Sequence, residues 1–286
     1  MVARFEVRHR YYLAPDGSIN RPLPAFASDA NLLVSLYRAM VLLRSFDRKA
    51  VALQRTGRLG TYAVSLGQEA VSVGIASAMR SEDVLLPSYR DNGALIWRGV
   101  KLEEILLFWG GDERGNHFSG PVQDFPFCVP VGSQAPHAAG VGYAFKLRKE
   151  PRVAVACCGD GGFLMTGQEI ETAVRYGAAI TVVVFRNRLH GTIAMHQKQA
   201  LGRTAGVEIG EVDLAGYARS LGAEGHTVRD PDGLAPAMVA ALASNTVTLP
   251  AWYLDGQVRP GQSRRVDLAY ARTDMRSQGR TERRAL

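Results

Sequence analysis

The chain has few cysteines, no long apolar run and no low-complexity tract, and each shortage removes a class of protein. Its three cysteines, Cys128 and the adjacent Cys157 and Cys158, show neither a metal-ligand spacing nor a disulfide framework, so all three read as core residues. The longest apolar runs are strand-sized, which excludes a membrane-spanning helix. The start, MVARFEVRHRYYLAPDG, lacks the continuous apolar stretch of a signal peptide, so a cytoplasmic protein without a membrane partner is expected. Excess charge is also lacking over most of the chain. From Arg259 onward there are eight arginines against Asp267, Asp274 and Glu282, so most of the net +7 sits in the last segment. That segment is poor in large apolar residues and reads as a mobile basic tail over 259–286 rather than a nucleic-acid module; no nucleic-acid partner is expected. Pro15, Pro22 and Pro24 interrupt any regular element early on, giving an extended arm over 1–28. What remains, 29–258, is one α/β domain, and 47% hydrophobic residues suffice for a substantial core.

The organising stretch is VAVACCGDGGFLMTGQEIETAVRYGAAITVVVFRN, from Val153 to Asn187. An apolar run ends at Cys158, Gly159-Asp160-Gly161-Gly162 breaks it, a helical segment covers Thr166 to Tyr176, and a β-branched run follows from Ile180 to Phe185. This is strand, turn, helix, strand. In a parallel βαβ unit both strands end at one edge of the sheet, where ligands of open α/β sheets bind. Asp160 and Asn187 therefore meet there. A carboxylate, a carboxamide oxygen and a backbone carbonyl just beyond Asn187 would suit a hard divalent cation, with room left for phosphate oxygens. Glycines beside Asp160 let backbone N–H groups approach those phosphates.

Along the rest of the chain, Leu32, Leu33, Leu36, Met40, Leu43 and Val51 keep a helical period after an N-cap at Ser28, and Gly57 ends the run. A helix is expected over Gln68 to Met79, a strand at Asp83 to Pro87, and Ser88-Tyr89-Arg90-Asp91 at the mouth of another helix. An Arg and a Tyr hydroxyl there are placed to take a phosphate. Lys101 to Trp109 reads as a helix, Gly110 to Pro130 as a long loop, and Gly132-Ser133-Gln134-Ala135-Pro136-His137 opens a helix to about Lys149 whose small residues permit close packing. His137 is a candidate active-site group; a capping or packing role is the plainer alternative. Beyond Asn187, RLHGTIAMHQKQALGRTAG reads as a loop carrying His190 and His196. Helices at Asp213 to Leu221 and Asp232 to Ala243 then alternate with strands at Glu224 to Val228 and Leu249 to Leu254. The alternation predicts a doubly wound, mainly parallel sheet.

GDG at 159–161 followed by Asn187 resembles the thiamine diphosphate and Mg²⁺ signature of thiamine-dependent enzymes, with Arg186 standing where that signature has its first Asn. RTGRLGTYAVSLGQEA, DVLLPSYRDNGA, LFWGGDERG and VGSQAPHAAGVGYAFKLR resemble the alpha subunit of the decarboxylating first component of 2-oxo acid dehydrogenase complexes, pyruvate or branched-chain type. From Gly159 to about Asp255, GDGGFLMTGQEIETAVRYG, ITVVVF and HGTIAMHQ resemble the C-terminal cofactor domain of acetolactate synthase-like enzymes. The resemblance implies a diphosphate-binding fold and cofactors thiamine diphosphate and Mg²⁺. Asp160, Asn187 and the Leu189 carbonyl would hold the metal, and Tyr89 and Arg90 the diphosphate. Val129 and Val131 would meet the aminopyrimidine, with Ser133 and Gln134 along the wall and Gly159, Gly161 and Gly162 at the phosphates.

The resemblance further implies an alpha-type subunit that decarboxylates a small 2-oxo acid and passes the acyl unit to a lipoyl-bearing acyltransferase component. The activating glutamate would come from a beta-type subunit carrying the pyrimidine-binding domain, since no stretch here resembles that domain. The dehydrogenase family's histidine-containing loop has no counterpart in the text after Asn187, so His137 and His190 are the candidate catalytic groups. Two other readings stand beside this one: an acetolactate synthase-like decarboxylase or carboligase half-subunit, and a non-catalytic assembly protein of the same fold.

Overall fold

The computed structural model describes residues 12–229, 231–244 and 246–253. The basic tail over 259–286, the first part of the arm and the end of the expected domain lie outside the described residues. Within the arm, Leu13 and Ile19 form an isolated antiparallel bridge and Ala25–Ser28 a single 3-10 turn. Helix α1 spans Ala30–Arg55, capped by Asp29, whose side chain accepts from Leu32 N–H, and not by Ser28. The carboxylate wins because it adds a favourable charge to the helix dipole as well as the hydrogen bond. Ser28 donates instead to the Ala25 carbonyl.

Helix α2 (Glu69–Ala78) leads to strand β1 (Val84–Leu86), and α3 (Asn92–Trp97) and α4 (Leu102–Trp109) follow. The long segment after Trp109 holds a 3-10 turn at Glu113–Asn116 and then reaches α5 (Gln134–Arg148). Strand β2 (Ala154–Gly159) runs directly into α6 (Asp160–Thr166), and α7 (Glu169–Arg175) precedes β3 (Ile180–Arg186). The helix expected over 166–176 is α7, somewhat shorter, and the glycine-rich stretch expected as a break before it is the first turn of a further short helix, α6. Glycine's flexibility weakens a helix without forbidding it, and Phe163, almost fully buried, anchors this turn to the core. The segment beyond Asn187 is likewise not a loop throughout: α8 spans Gly191–Leu201 and is closed by Gly202 at φ +67°. Only Ala194 of α8 is buried, so the helix lies on the surface without the apolar stripe that reveals a helix in sequence. Helix α9 (Leu214–Ser220), β4 (Glu224–Val228), α10 (Pro231–Ala243) and β5 (Thr248–Tyr253) complete the order.

The five strands of the described residues are all parallel, in the order β1-β2-β3-β5-β4. Alternate residues feed two cores, as a sheet covered on both faces requires. Ala154, Ala156 and Cys158 of β2 and Ile180, Val182 and Val184 of β3 meet α5, α7 and α9 through Ala138, Ile170 and Leu214. On the other face Val155, Cys157 and Val183 meet Ile75 of α2 and Met238 of α10. The small residues of α5 serve close packing: a Cβ on Gly142 would come within 2.5 Å of Ile180 Cγ2. Cys157 and Cys158 are core residues, whereas Cys128 is only half-buried, its sulfur 3.0 Å from Ser133 Oγ.

A third cluster joins Leu43 and Phe46 of α1 and Ile105 and Trp109 of α4 to Leu85 of β1. Here the outer edge of β1 is sealed by the long loop. Phe125 N–H donates to the Leu85 carbonyl at 3.0 Å, and Asp124 Oδ1 accepts from Leu85 N–H at 2.9 Å. The Asp124 carboxylate is held by both Nε and Nη2 of Arg98, with the Arg98 side chain 5% and the Asp124 side chain 3% exposed. Removing one member of a buried pair leaves the other charge uncompensated. Arg98→Met is therefore expected to destabilise the fold by about 3 kcal/mol, read as a lowered denaturant midpoint; a midpoint unchanged within error would refute the account of this edge.

Candidate functional site

The site grows from the register of two strands. Gly159 of β2 pairs with Phe185 of β3, so the residues that follow each strand emerge side by side at the carboxyl edge of the sheet. Asp160, 3% exposed, sits at the start of α6. Its Oδ1 accepts from Gly161 N–H at 3.0 Å, and its Oδ2 accepts from Arg188 N–H at 2.7 Å. Burial pushes the carboxyl's pKa up; the Arg188 and Gly161 amides and the nearby Arg186 charge oppose this without cancelling it.

Arg188 has φ +59°, in the left-handed region that a non-glycine side chain disfavours. This residue stands between Asn187 and Leu189. Asn187 Oδ1 accepts from Leu189 N–H at 3.1 Å, and the Leu189 carbonyl accepts from Gly191 N–H at 2.9 Å. Each sp² oxygen keeps a second lone pair. The turn is strapped from outside by residues 207–211. Leu189 bridges Glu208, His190 N–H donates to the Val207 carbonyl and Ile209 N–H to the Arg188 carbonyl. Glu211 completes the strap by pairing with both Arg186 and Arg188.

Two glycines let this turn be covered closely. A Cβ on Gly161 would come within 2.6 Å of His190 Cε1 and 3.2 Å of Ile209 Cδ1. One on Gly162 would come within 3.2 Å of Val131 Cγ1. The Gly161 amide, expected at the phosphates, here donates to Asp160 itself. From the side, Arg90 Nη1 donates to the Val64 carbonyl at 2.7 Å and its Nη2 to Thr192 Oγ1 at 3.1 Å, while its guanidinium lies 5.2 Å from the Tyr89 ring centroid. Asp160, Gly161, Gly162, Asn187, Leu189, His190 and Val131 thus gather at one edge, and Arg90 reaches the start of α8 beside them.

The remaining candidates stand apart from this cluster in their contacts. The Ser133 hydroxyl donates to the Pro130 carbonyl, and Gln134 is buried with Nε2 3.4 Å from the Pro87 carbonyl. Val129 is half-exposed and Gly159 exposed at the edge. His137 packs its ring against Phe125, with centroids 5.5 Å apart. Sequence reading missed Thr192, Ile209 and Glu211: they carry no motif, and only the strap brings them to the edge. His196 is exposed on α8.

The donor set suits a hard cation, because a buried carboxylate disfavoured by its surroundings adjoins two more oxygens turned by one left-handed residue. Among the described residues no group of three or more His, Cys, Asp or Glu side chains is placed to hold a metal. No helix among the described residues is long and apolar enough to cross a membrane.

The sequence profile of the dehydrogenase E1 component family matches residues 37–187, a little more than half of the chain. The pyruvate dehydrogenase E1 component subunit alpha of Acholeplasma laidlawii is 43% identical over 130 residues, covering 46% of this chain and 38% of that protein. Its counterpart in Staphylococcus aureus (strain Mu50) is 35% identical over 205 residues, 71% of this chain and 53% of that protein. The chain spans about half the length of this relative and less of the other. Benzoylformate decarboxylase from Polynucleobacter necessarius shares the fold, with a TM-score of 0.51 at 20% identity over 69% of this chain and 35% of that one. The profile match covers β1 through Asn187 and so includes both strand ends that carry the site: this chain belongs to the dehydrogenase E1 component family.

Proposed function

We propose that the chain is an alpha-type subunit of a 2-oxo acid dehydrogenase of the pyruvate or branched-chain kind, binding thiamine diphosphate and Mg²⁺ and working with a beta-type subunit. The observation that carries the reading is the buried Asp160 carboxylate beside Asn187 and Leu189 at the left-handed Arg188 turn. In this reading Asp160, the Asn187 carboxamide and the Leu189 carbonyl hold Mg²⁺, and Arg90 with Tyr89 faces the diphosphate. Gly161 and Gly162 keep side chains out of its path. Thiamine diphosphate held there would supply the nucleophilic carbon for decarboxylation of a 2-oxo acid and acyl transfer. The chain's own part is to hold the charged end of the cofactor and to exclude water from it. His190, packed on Gly161, is the group of this chain best placed to exchange a proton near the phosphates, while His137 is a wall residue. Val129 and Val131 border the aminopyrimidine, with Ser133 and Gln134 shaping the loop behind them.

A covering partner is favoured by the rim of the site. Val129, Val131, Leu164, Met165 and Ile193 are all 40% or more exposed, an apolar border that a second surface would bury. Within the chain, the first carboxylate to consider as activating acid, Glu69, is occupied: it accepts from Arg44 Nε and from Gly67 N–H. The beta-type subunit would bring the missing glutamate, and a lipoyl-bearing acyltransferase component would receive the acyl unit. The acetolactate synthase-like reading rests on the resemblance of the text from Gly159 to about Asp255 alone. Acetolactate formation in place of 2-oxo acid-dependent dye reduction would select it.

The cofactor and metal together should raise the melting temperature, by about 2.7 kcal/mol of stabilisation at a hundredfold excess over Kd, and Asp160→Ala should abolish the joint effect. A melting temperature unmoved by both ligands, even with a beta-type subunit present, would show the metal-site reading to be wrong. Gly161→Ala, which drives a methyl group into His190 and Ile209, should weaken cofactor binding while leaving α/β content unchanged by circular dichroism. The purified chain alone should show no 2-oxo acid turnover and should form a dimer of heterodimers with a beta-type subunit. Turnover by the single chain would instead assign the acid to this sequence, with Glu169 next to be tested.

A further inference from the structure

Beneath Arg90 lies a set of polar side chains that the proposed chemistry does not use. Asp47 of α1 is 1% exposed, Ser65 and Asn92 are 0% and Tyr62 is 3%. A buried carboxylate needs partners, and Asp47 has two from one loop: Tyr62 Oη donates to its Oδ1, and Ser65 N–H donates to its Oδ2 at 2.9 Å. Asn92 Nδ2 donates to Tyr62 Oη at 3.1 Å and to Ser65 Oγ at 3.2 Å. Ser65 Oγ in turn donates to the Arg90 carbonyl at 2.8 Å. The Val64 carbonyl, between these anchored positions, takes one arm of the Arg90 guanidinium. Both the backbone and one side-chain arm of Arg90 are therefore fixed by residues 62–65, and that loop is fixed by Asp47.

We infer that Asp47, Tyr62, Ser65 and Asn92 form a buried positioning network that sets where Arg90 presents its guanidinium beside the start of α8. The inference rests on the proposed role of Arg90 for its functional meaning, but the network itself has a readout of its own. A guanidinium held at Val64 leaves its other edge directed to Thr192, next to His190 and Gly161, so an oxyanion arriving there meets donors already oriented. Loss of one of these bonds frees Arg90 to swing without moving any group at the sheet edge. Asp47 therefore acts from α1 through Ser65 and touches no ligand.

The test is peptide-resolved modification of the full chain by phenylglyoxal, with Arg98 as an internal marker of global loosening. Ser65→Ala should raise the modification rate at Arg90 by roughly three- to tenfold, the effect of one lost hydrogen bond, with Arg98 unchanged. Tyr62→Phe, which removes only a hydroxyl, should act in the same direction and serves if Ser65→Ala does not fold. An unchanged rate at Arg90 overturns the inference, as does an equal rise at Arg98, which would mark a structural effect alone. Protection of Arg90 by thiamine diphosphate with Mg²⁺ reports separately on the phosphate role. Faster labelling in the variants without such protection in the unmodified chain would uphold the network and refute the role proposed for Arg90.

Discussion

The hydrogen bond from Arg188 N–H to Asp160 Oδ2, 2.7 Å long, joins two strand ends that lie 28 positions apart in sequence, and the rest of the site depends on it. It ties the turn after β3 to the helix that begins as β2 ends. It also keeps an ionisable carboxyl buried by giving it a backbone donor. With Arg188 held at φ +59°, Asn187 and Leu189 are committed to one geometry, and the cost of that left-handed residue is borne by the strap at 207–211. A single interaction thus determines which oxygens face the sheet edge.

Around this bond the protein places its polar groups in two layers. The upper layer, Asp160 with Asn187 and Leu189, turns oxygen atoms toward the edge. The lower layer, from Asp47 to Arg90, turns nitrogen donors toward it. Asp160 and the set from Asp47 to Asn92 are buried and largely closed by hydrogen bonds, which holds them in fixed directions, whereas Asn187, Leu189 and Arg90 are half-buried at the edge. The apolar rim above them, Val129, Val131, Leu164, Met165 and Ile193, is exposed.

Much of this was legible from residue pattern, and the failures have physical causes. The β-branched run from Ile180 to Val184 and the apolar run before Gly159 identify themselves as strands because both faces are buried. The spacing of GDG and Asn187 marks a βαβ edge because parallel strands end on the same side. The sequence suggests a loop where α8 stands because a helix with one buried residue has no apolar period. It suggests a break at the first turn of α6 because Gly161 and Gly162 have poor helix propensity; they are required there by the approach of His190 and Val131. The contacts of His137 and Gln134, to Phe125 and Pro87, join segments far apart in sequence and leave no trace in local pattern.

The sequence by itself determined the fold class, the strands that meet, and the identities of the carboxylate and amide at their ends, since hydrophobic period and turn chemistry are local properties of the chain. The tertiary structure decided what those groups are bonded to. That Glu69 is occupied by Arg44, that Glu211 bridges two arginines over the Asn187–Leu189 turn, and that Asp47 steadies Arg90 through Ser65 all depend on contacts between segments far apart in sequence. No local pattern encodes these pairings. They exist because burial leaves each polar group only the partners that packing brings within hydrogen-bond reach.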